Sequence, residues 1–151
     1  MAGGHDVISE YIDIIDSNVS DPNSARNSKG LKWVYDDIPL ASLSSSNYPR
    51  ISVISTTATS EPHSLCGNQQ RVNVRVEVQI RVRRTKWNSQ TPQQFLDDLT
   101  LSVIGALRSE ASRLQLNNNV GVFNSKLEAE NTIYDDDLVI KQLVYNNTMV
   151  R

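Results

Sequence analysis

Residue types that bind metal ions are scarce in this sequence, which contains two histidines and one cysteine. His63 and Cys66 are three positions apart in the turn-rich segment TSEPHSLCGNQQ and could supply two ligands. A structural zinc site needs about four ligands, and the neighbouring residues supply no others. We therefore interpret both as ordinary loop residues and expect neither a metal nor a cofactor.

Two acidic features could also take part in chemistry. Asp135–Asp137 form a run of carboxylates, but consecutive acids lack the alternating spacing and the glycine of a calcium loop. Glu110 falls within the apolar stripe of a predicted helix, where a carboxylate near the helix end can extend towards water. We interpret the first as a solvated turn and the second as a structural residue.

Catalysis requires several reactive groups that converge, and the sequence has few candidates. It contains no phosphate-binding glycine loop and no His-Glu-x-x-His motif. We therefore predict that the protein is not an enzyme. A small hydrolase would need a pocket around His63 or Glu110.

The stretch RVNVRVEVQIRVRR, residues 71 to 84, has the clearest pattern. Its even positions from Val72 to Val82 are β-branched, and its odd positions are polar or charged. Because strand side chains alternate between two faces, the pattern predicts a long strand with its valine face on a core and a row of arginines on the other face.

Three interpretations of the arginine face are open. It could be a solvated sheet face, which a two-layer domain always leaves on one side. It could belong to a nucleic-acid-binding module, although no aromatic residue for base stacking interrupts residues 71 to 86. It could be a subunit interface, in which guanidinium groups meet the acidic clusters of another chain.

The rest of the chain supplies the elements that must position this strand. VISEYIDII, residues 7 to 15, predicts a short amphipathic helix, and Thr91–Pro92 predicts the start of the main helix. LKWVYDD, the residues after Pro49 and LVIKQLVY predict further strands, while residues 16 to 30 read as an exposed connection. We predict one α+β domain with two layers over residues 1–151. In it, a mainly antiparallel sheet with a long β-hairpin packs against one long and one short helix.

Composition narrows the class of protein. The net charge is −2, so the overall charge of the chain does not attract it to nucleic acid or to an anionic membrane. A lone cysteine excludes an internal disulfide, and no segment approaches the roughly 18 apolar residues of a membrane-spanning helix. We expect synthesis in the cytoplasm and no membrane partner.

A resemblance to a known protein family rests on four features of the sequence: NYPRISVIS, the alternating RVNVRVEVQIRVRR, the Thr91–Pro92 helix start and the closing LVIKQLVY. In element order over roughly residues 5 to 148, the chain resembles the tail-terminator, or tail-completion, proteins of long-tailed viruses with double-stranded DNA. The resemblance implies a structural virion protein at the head-tail junction, made in the host cytoplasm. Such proteins form a ring, commonly a hexamer, that stops growth of the tail tube and joins it to the head connector. Their partners are therefore the tail-tube protein and the head-connector proteins, and genome DNA passes through the channel without sequence recognition.

We assign candidate contact residues on this basis. Three arginines of the strand, Arg75, Arg81 and Arg83, are expected to face carboxylates of the next subunit, at Asp97, Asp98 or the turn Asp135, Asp136 and Asp137. Position 81 points away from the valine core, so we expect its replacement to leave the fold intact. A partner-contacting loop is expected at the hairpin tip, around His63, Leu65 and Cys66.

Val76→Asp is expected to unfold the domain, because a carboxylate would enter the apolar core without a partner. Loss of the far-ultraviolet circular dichroism signal of the folded chain checks this prediction. A Val76→Asp protein that melts cooperatively near the parent temperature would contradict the assigned strand face.

Overall fold

The structure, a computed structural model, describes residues 4–39, 43–62, 70–85, 87, 89–110 and 122–150. These described residues contain three helices, five strands and one 3₁₀ turn, in chain order: α1 Gly4–Asn18, α2 Ser24–Ser28, β1 Val34–Tyr35, the 3₁₀ turn Ser45–Asn47, β2 Arg50–Pro62, β3 Gln70–Arg83, α3 Pro92–Glu110, β4 Val122–Asp135 and β5 Leu138–Val150.

The strands form one five-stranded sheet in the order β1-β2-β3-β5-β4. The predicted hairpin is confirmed: β2 and β3 pair antiparallel from Arg50 opposite Arg81 to Pro62 opposite Gln70. On its other side β3 pairs antiparallel with β5, which in turn pairs with β4. Among the described strands, only β1 pairs in parallel, with β2 at one edge of the sheet. The strand with the alternating pattern is therefore the centre of the sheet.

Both long helices pack on the same face of this sheet. The core contains the six aliphatic side chains of β3 from Val72 to Val82 together with the apolar stripes of α1 and α3. The two-layer α+β architecture predicted from the sequence is thus observed, with a mainly antiparallel sheet. The helix predicted at residues 7 to 15 is longer than expected and spans 15 residues.

A capping box fixes the start of α3. The backbone N–H of Gln94 donates to Thr91 Oγ1, and the Thr91 N–H donates to Gln94 Oε1. These reciprocal bonds satisfy amide groups that have no partner within the helix. The predicted helix start is therefore confirmed.

The connection between α1 and β1 is more structured than the sequence suggested. Residues 16 to 30 include the end of α1 and the whole of α2, and they contain the buried ion pair between Arg26 and Asp21. Two guanidinium bonds of 2.6 and 2.7 Å join this pair, and Arg26 also donates to the carbonyl of Pro49 at 2.7 Å. Most of residues 16 to 30 are exposed, as predicted, but the sequence contained no sign of this ion pair, because a single buried pair leaves no periodic pattern.

A buried polar cluster attaches α1 to the sheet. The Tyr11 hydroxyl donates to Asn147 Oδ1 at 2.7 Å and lies 2.7 Å from Ser125 Oγ, while Asn147 Nδ2 donates to the Val74 carbonyl. Burial raises the pKa of Tyr11 to about 12, although its two hydrogen bonds oppose that shift. The neutral phenol is therefore the form that the fold stabilises.

Tyr11→Phe is expected to lower the free energy of unfolding by about 1–3 kcal/mol, because Asn147 would keep a buried oxygen without its donor. The parent should also lose stability between pH 10 and about pH 12, since the folded protein holds the phenolic proton more tightly than the unfolded chain does. This contribution is complete below pH 10, and Tyr11→Phe should remove it. Urea denaturation across this pH range measures both effects.

Tyr134→Phe is the matched control, because Tyr134 is exposed. It should change the unfolding free energy little. Equal effects of the two substitutions would contradict the anchoring role of Tyr11.

Candidate subunit interface

We call the side of the sheet opposite α1 and α3 the outer sheet face. The odd-numbered residues of β3 lie on it, as the alternation predicted, and cross-strand pairing places them in rows with residues of β2, β5 and β4. One row contains Arg50, Arg81, Ile140 and Ile133, and the next contains Ser52, Gln79, Gln142 and Asn131.

A hydrogen-bonded polar network occupies the centre of this face. The carboxylate of Glu77 accepts from the side-chain amides of Gln79 and Gln142. Arg81 donates to the side-chain oxygen of Gln79 and to Ser52 Oγ. The network therefore spans β2, β3 and β5, and it fills part of the face that the sequence suggested was wholly outward.

Arg81 is only 8% exposed, in contrast to its expected role at the surface. Burial, followed by repulsion from Arg50 directly opposite, lowers the pKa of Arg81 from its usual value. Arg50 is buried as well; it donates to Asp37 Oδ1 at 2.6 Å, and its guanidinium carbon lies 3.7 Å from the centre of the Tyr35 ring. The sequence predicted the direction of Arg81 correctly but not its burial, which comes from the neighbouring strands.

Arg75 and Arg83 remain accessible on the outer sheet face, with side-chain exposures of 49% and 35%. Within the same chain, Arg75 Nη2 lies 3.1 Å from Glu128 Oε2, and Arg83 Nη2 lies 3.8 Å from Asp137 Oδ2. Glu128 is the extra residue at a register shift between β4 and β5, and such a bulge re-aims a side chain. Both arginines thus have partly exposed partners that a neighbouring chain could replace or join.

The candidate acidic residues lie in two places. Asp97 and Asp98 are exposed on α3, where Asp97 is 3.7 Å from Lys141 Nζ and Asp98 accepts from Gln90. The other three, Asp135–Asp137, form an exposed turn between β4 and β5. The backbone of Asp136 has a φ of 44°, a left-handed conformation that aspartate tolerates better than most residues. The structure therefore separates the acids between the helix layer and one end of the sheet.

An apolar cavity of about 340 Å³ lies between the end of β3 and the start of α3. Trp87 and Phe95 stack there with ring centres 4.9 Å apart, and Tyr48, Pro49, Val82, Arg83 and Thr85 complete the lining. Sequence reasoning missed this cavity. The two aromatic residues on either side of the Thr91–Pro92 helix start were the available signal.

The remaining sequence candidates lie outside the described residues. This applies to the proposed partner-contacting loop with His63, Leu65 and Cys66, and to the side chain of Glu110. In the ranges that the structure describes, no three or more His, Cys, Asp or Glu side chains gather as a metal site. Within those same ranges, no helix combines the length and apolarity needed to cross a membrane.

Comparisons with known proteins give one kind of match. No protein-family model matches the chain, and no curated protein sequence does. Among solved structures, the chain is similar to a protein in the virion of a native gene transfer agent (GTA) particle, with a TM-score of 0.51 and 8% sequence identity over 91% of this chain and 92% of that chain. At this identity the likeness shows a shared fold.

Arg81→Met is expected to lower the free energy of unfolding by about 1–3 kcal/mol, because it removes a charged donor from the polar network while keeping an unbranched apolar stem. Arg75→Met on the same strand is the control, and loss of its exposed ion pair should cost about 0–1 kcal/mol. Urea denaturation of both variants gives the comparison. Equal decreases in the free energy of unfolding of the two variants would show that burial of Arg81 adds nothing to stability.

Proposed function

We propose that this chain is a structural protein of a tailed, virus-like particle. In this proposal several copies, commonly six, form a ring at the junction of head and tail. The ring ends growth of the tail tube and joins it to the head connector, and genome DNA passes through the channel. The observation that carries the proposal is the fold likeness to a virion protein over nearly the whole length of both chains.

The surface of the subunit supports a ring. A ring needs a head-to-tail contact between two different patches of the same subunit. The outer sheet face offers an accessible cation at Arg75, and the turn Asp135–Asp137 near the other end of β3 offers accessible anions, with Arg83 beside Asp137 as a further cation. We propose that these patches meet between adjacent copies, with Asp97 of the helix layer as a further carboxylate within reach of a neighbour.

Arg81 has a different part in this arrangement. Its guanidinium donates to Gln79 and Ser52 of the same subunit, so it stabilises the outer sheet face through bonds within the subunit. Its contribution to assembly is therefore indirect, through the rigidity of the strand that carries Arg75 and Arg83.

The second candidate function, a nucleic-acid-binding module on the Arg-rich strand, has less support. Arg75 and Arg83 each lie beside a carboxylate of the same chain, which reduces the positive potential that a phosphate backbone requires. Binding to DNA with a steep salt dependence would favour that candidate over the ring.

Light scattering after size-exclusion chromatography tests the ring. The parent should show a closed multimer, alone or with tail-tube or connector proteins, and raised salt should loosen it. The double variant Arg75→Glu and Arg83→Glu should assemble less well, while Lys29→Glu, an exposed change outside the sheet, should not.

Two results would count against this proposal. One is a strict monomer at high concentration even with tail-tube and connector proteins present. The other is equal assembly of the double variant and the Lys29→Glu control at both low and high salt, which would leave the arginines merely solvated.

A further inference from the structure

Helix α3 has an exposed stripe that no described element covers. One side of the helix packs on the sheet, and Asp98, Leu101, Gly105 and Arg108 are exposed at spacings of three and four residues, with Arg108 also lining a cavity of about 240 Å³ beside Leu127 and Tyr145. Side chains at these spacings lie along one line of a helix. Leu101 is 68% exposed, the highest value among the exposed large apolar side chains of the described chain.

Gly105 is unusual within this stripe. It lies in the interior of α3, where glycine is less favourable than alanine. Apart from its chain neighbours and the adjacent backbone of α3, a Cβ added to Gly105 would meet no atom of the described residues within 4 Å. Packing among the described residues therefore does not require glycine at this position, and the space above it allows close approach by another chain.

The stripe is complementary to the same stripe of a second copy when the two helices run antiparallel. Asp98 and Arg108 lie five positions on either side of residue 103, about 15 Å apart along the helix, with Leu101 and Gly105 between them. Asp98 accepts one bond from Gln90, which leaves its carboxylate further acceptor capacity. No carboxylate of the described residues lies within ion-pair distance of Arg108.

We propose that a second copy of this chain docks on the stripe in antiparallel orientation. Leu101 of each copy then packs over Gly105 of the other, and Asp98 lies beside Arg108 of the other copy. A parallel orientation would instead bring like charges together, and it would align the helix dipoles unfavourably.

This contact is independent of the proposed ring. A two-fold contact uses the same patch on both copies and closes after two of them, whereas a ring uses two different patches. Failure of one proposal therefore leaves the other standing.

Disulfide trapping tests the geometry. In a Cys66→Ser background, Leu101→Cys protein is mixed with Gly105→Cys protein under a mild thiol oxidant. The antiparallel contact predicts efficient cross-linking in the mixture and little in either variant alone. A matched Lys29→Cys variant measures random collision. Preferred cross-linking of Leu101→Cys with itself, or yields in the mixture no higher than the control, would overturn the proposal.

Sedimentation equilibrium tests the interactions. Leu101→Glu should weaken pairing at least about tenfold, as removal of a central apolar anchor usually does. Asp98→Arg and Arg108→Asp should each weaken it, and the two together should restore it, because the swapped charges again complement each other. Failure of the double swap to restore pairing would overturn the charge assignment.

Gly105→Ala distinguishes docking from a merely structural role. It should raise the melting temperature of the single chain, through better helix propensity, and yet weaken pairing at least about threefold, because the methyl group occupies the space of Leu101 of the other copy. Unchanged or tighter pairing of this variant would overturn the proposed close approach. Circular dichroism of each variant verifies that the fold is retained.

Discussion

The central position of β3 is the constraint on which the rest of the structure depends. This strand bonds to β2 on one side and to β5 on the other for almost its whole length, so its backbone groups are satisfied only if both neighbours are in register. Its valine face must be covered at the same time, and α1 and α3 both pack there. The positions of the other elements follow from these two requirements.

The polar network on the outer sheet face adds specificity to that arrangement. Glu77 and Arg81 are each only 8% exposed, and their hydrogen bonds reach Ser52 on β2 and Gln142 on β5. A slip of one residue would turn these charged groups into the valine core and turn the valines outward. The network thus penalises the alternative pairings that a regular Val-rich strand would otherwise permit.

Local patterns in the sequence account for much of the fold and for less of the candidate site. The alternation of β3 and the start of α3 at Thr91–Pro92 could be predicted from the sequence, because both depend on residues that are close together in the chain. Strand β4 was not among the strands predicted from the sequence, since register shifts near Val122 and Leu127 interrupt its alternation. The burial of Arg81 depends on side chains more than 25 positions away along the chain, such as its partner Ser52, and no local pattern records such a partner.

The two sides of the molecule differ in the kind of contact that they favour. Arg75 on the outer sheet face and the Asp135–Asp137 turn carry opposite charges at different places along the sheet, which suits a head-to-tail contact that repeats around a ring. The stripe on α3 carries a negative and a positive side chain, Asp98 and Arg108, together with the exposed Leu101 and the open space above Gly105. This combination suits a contact between two equivalent copies.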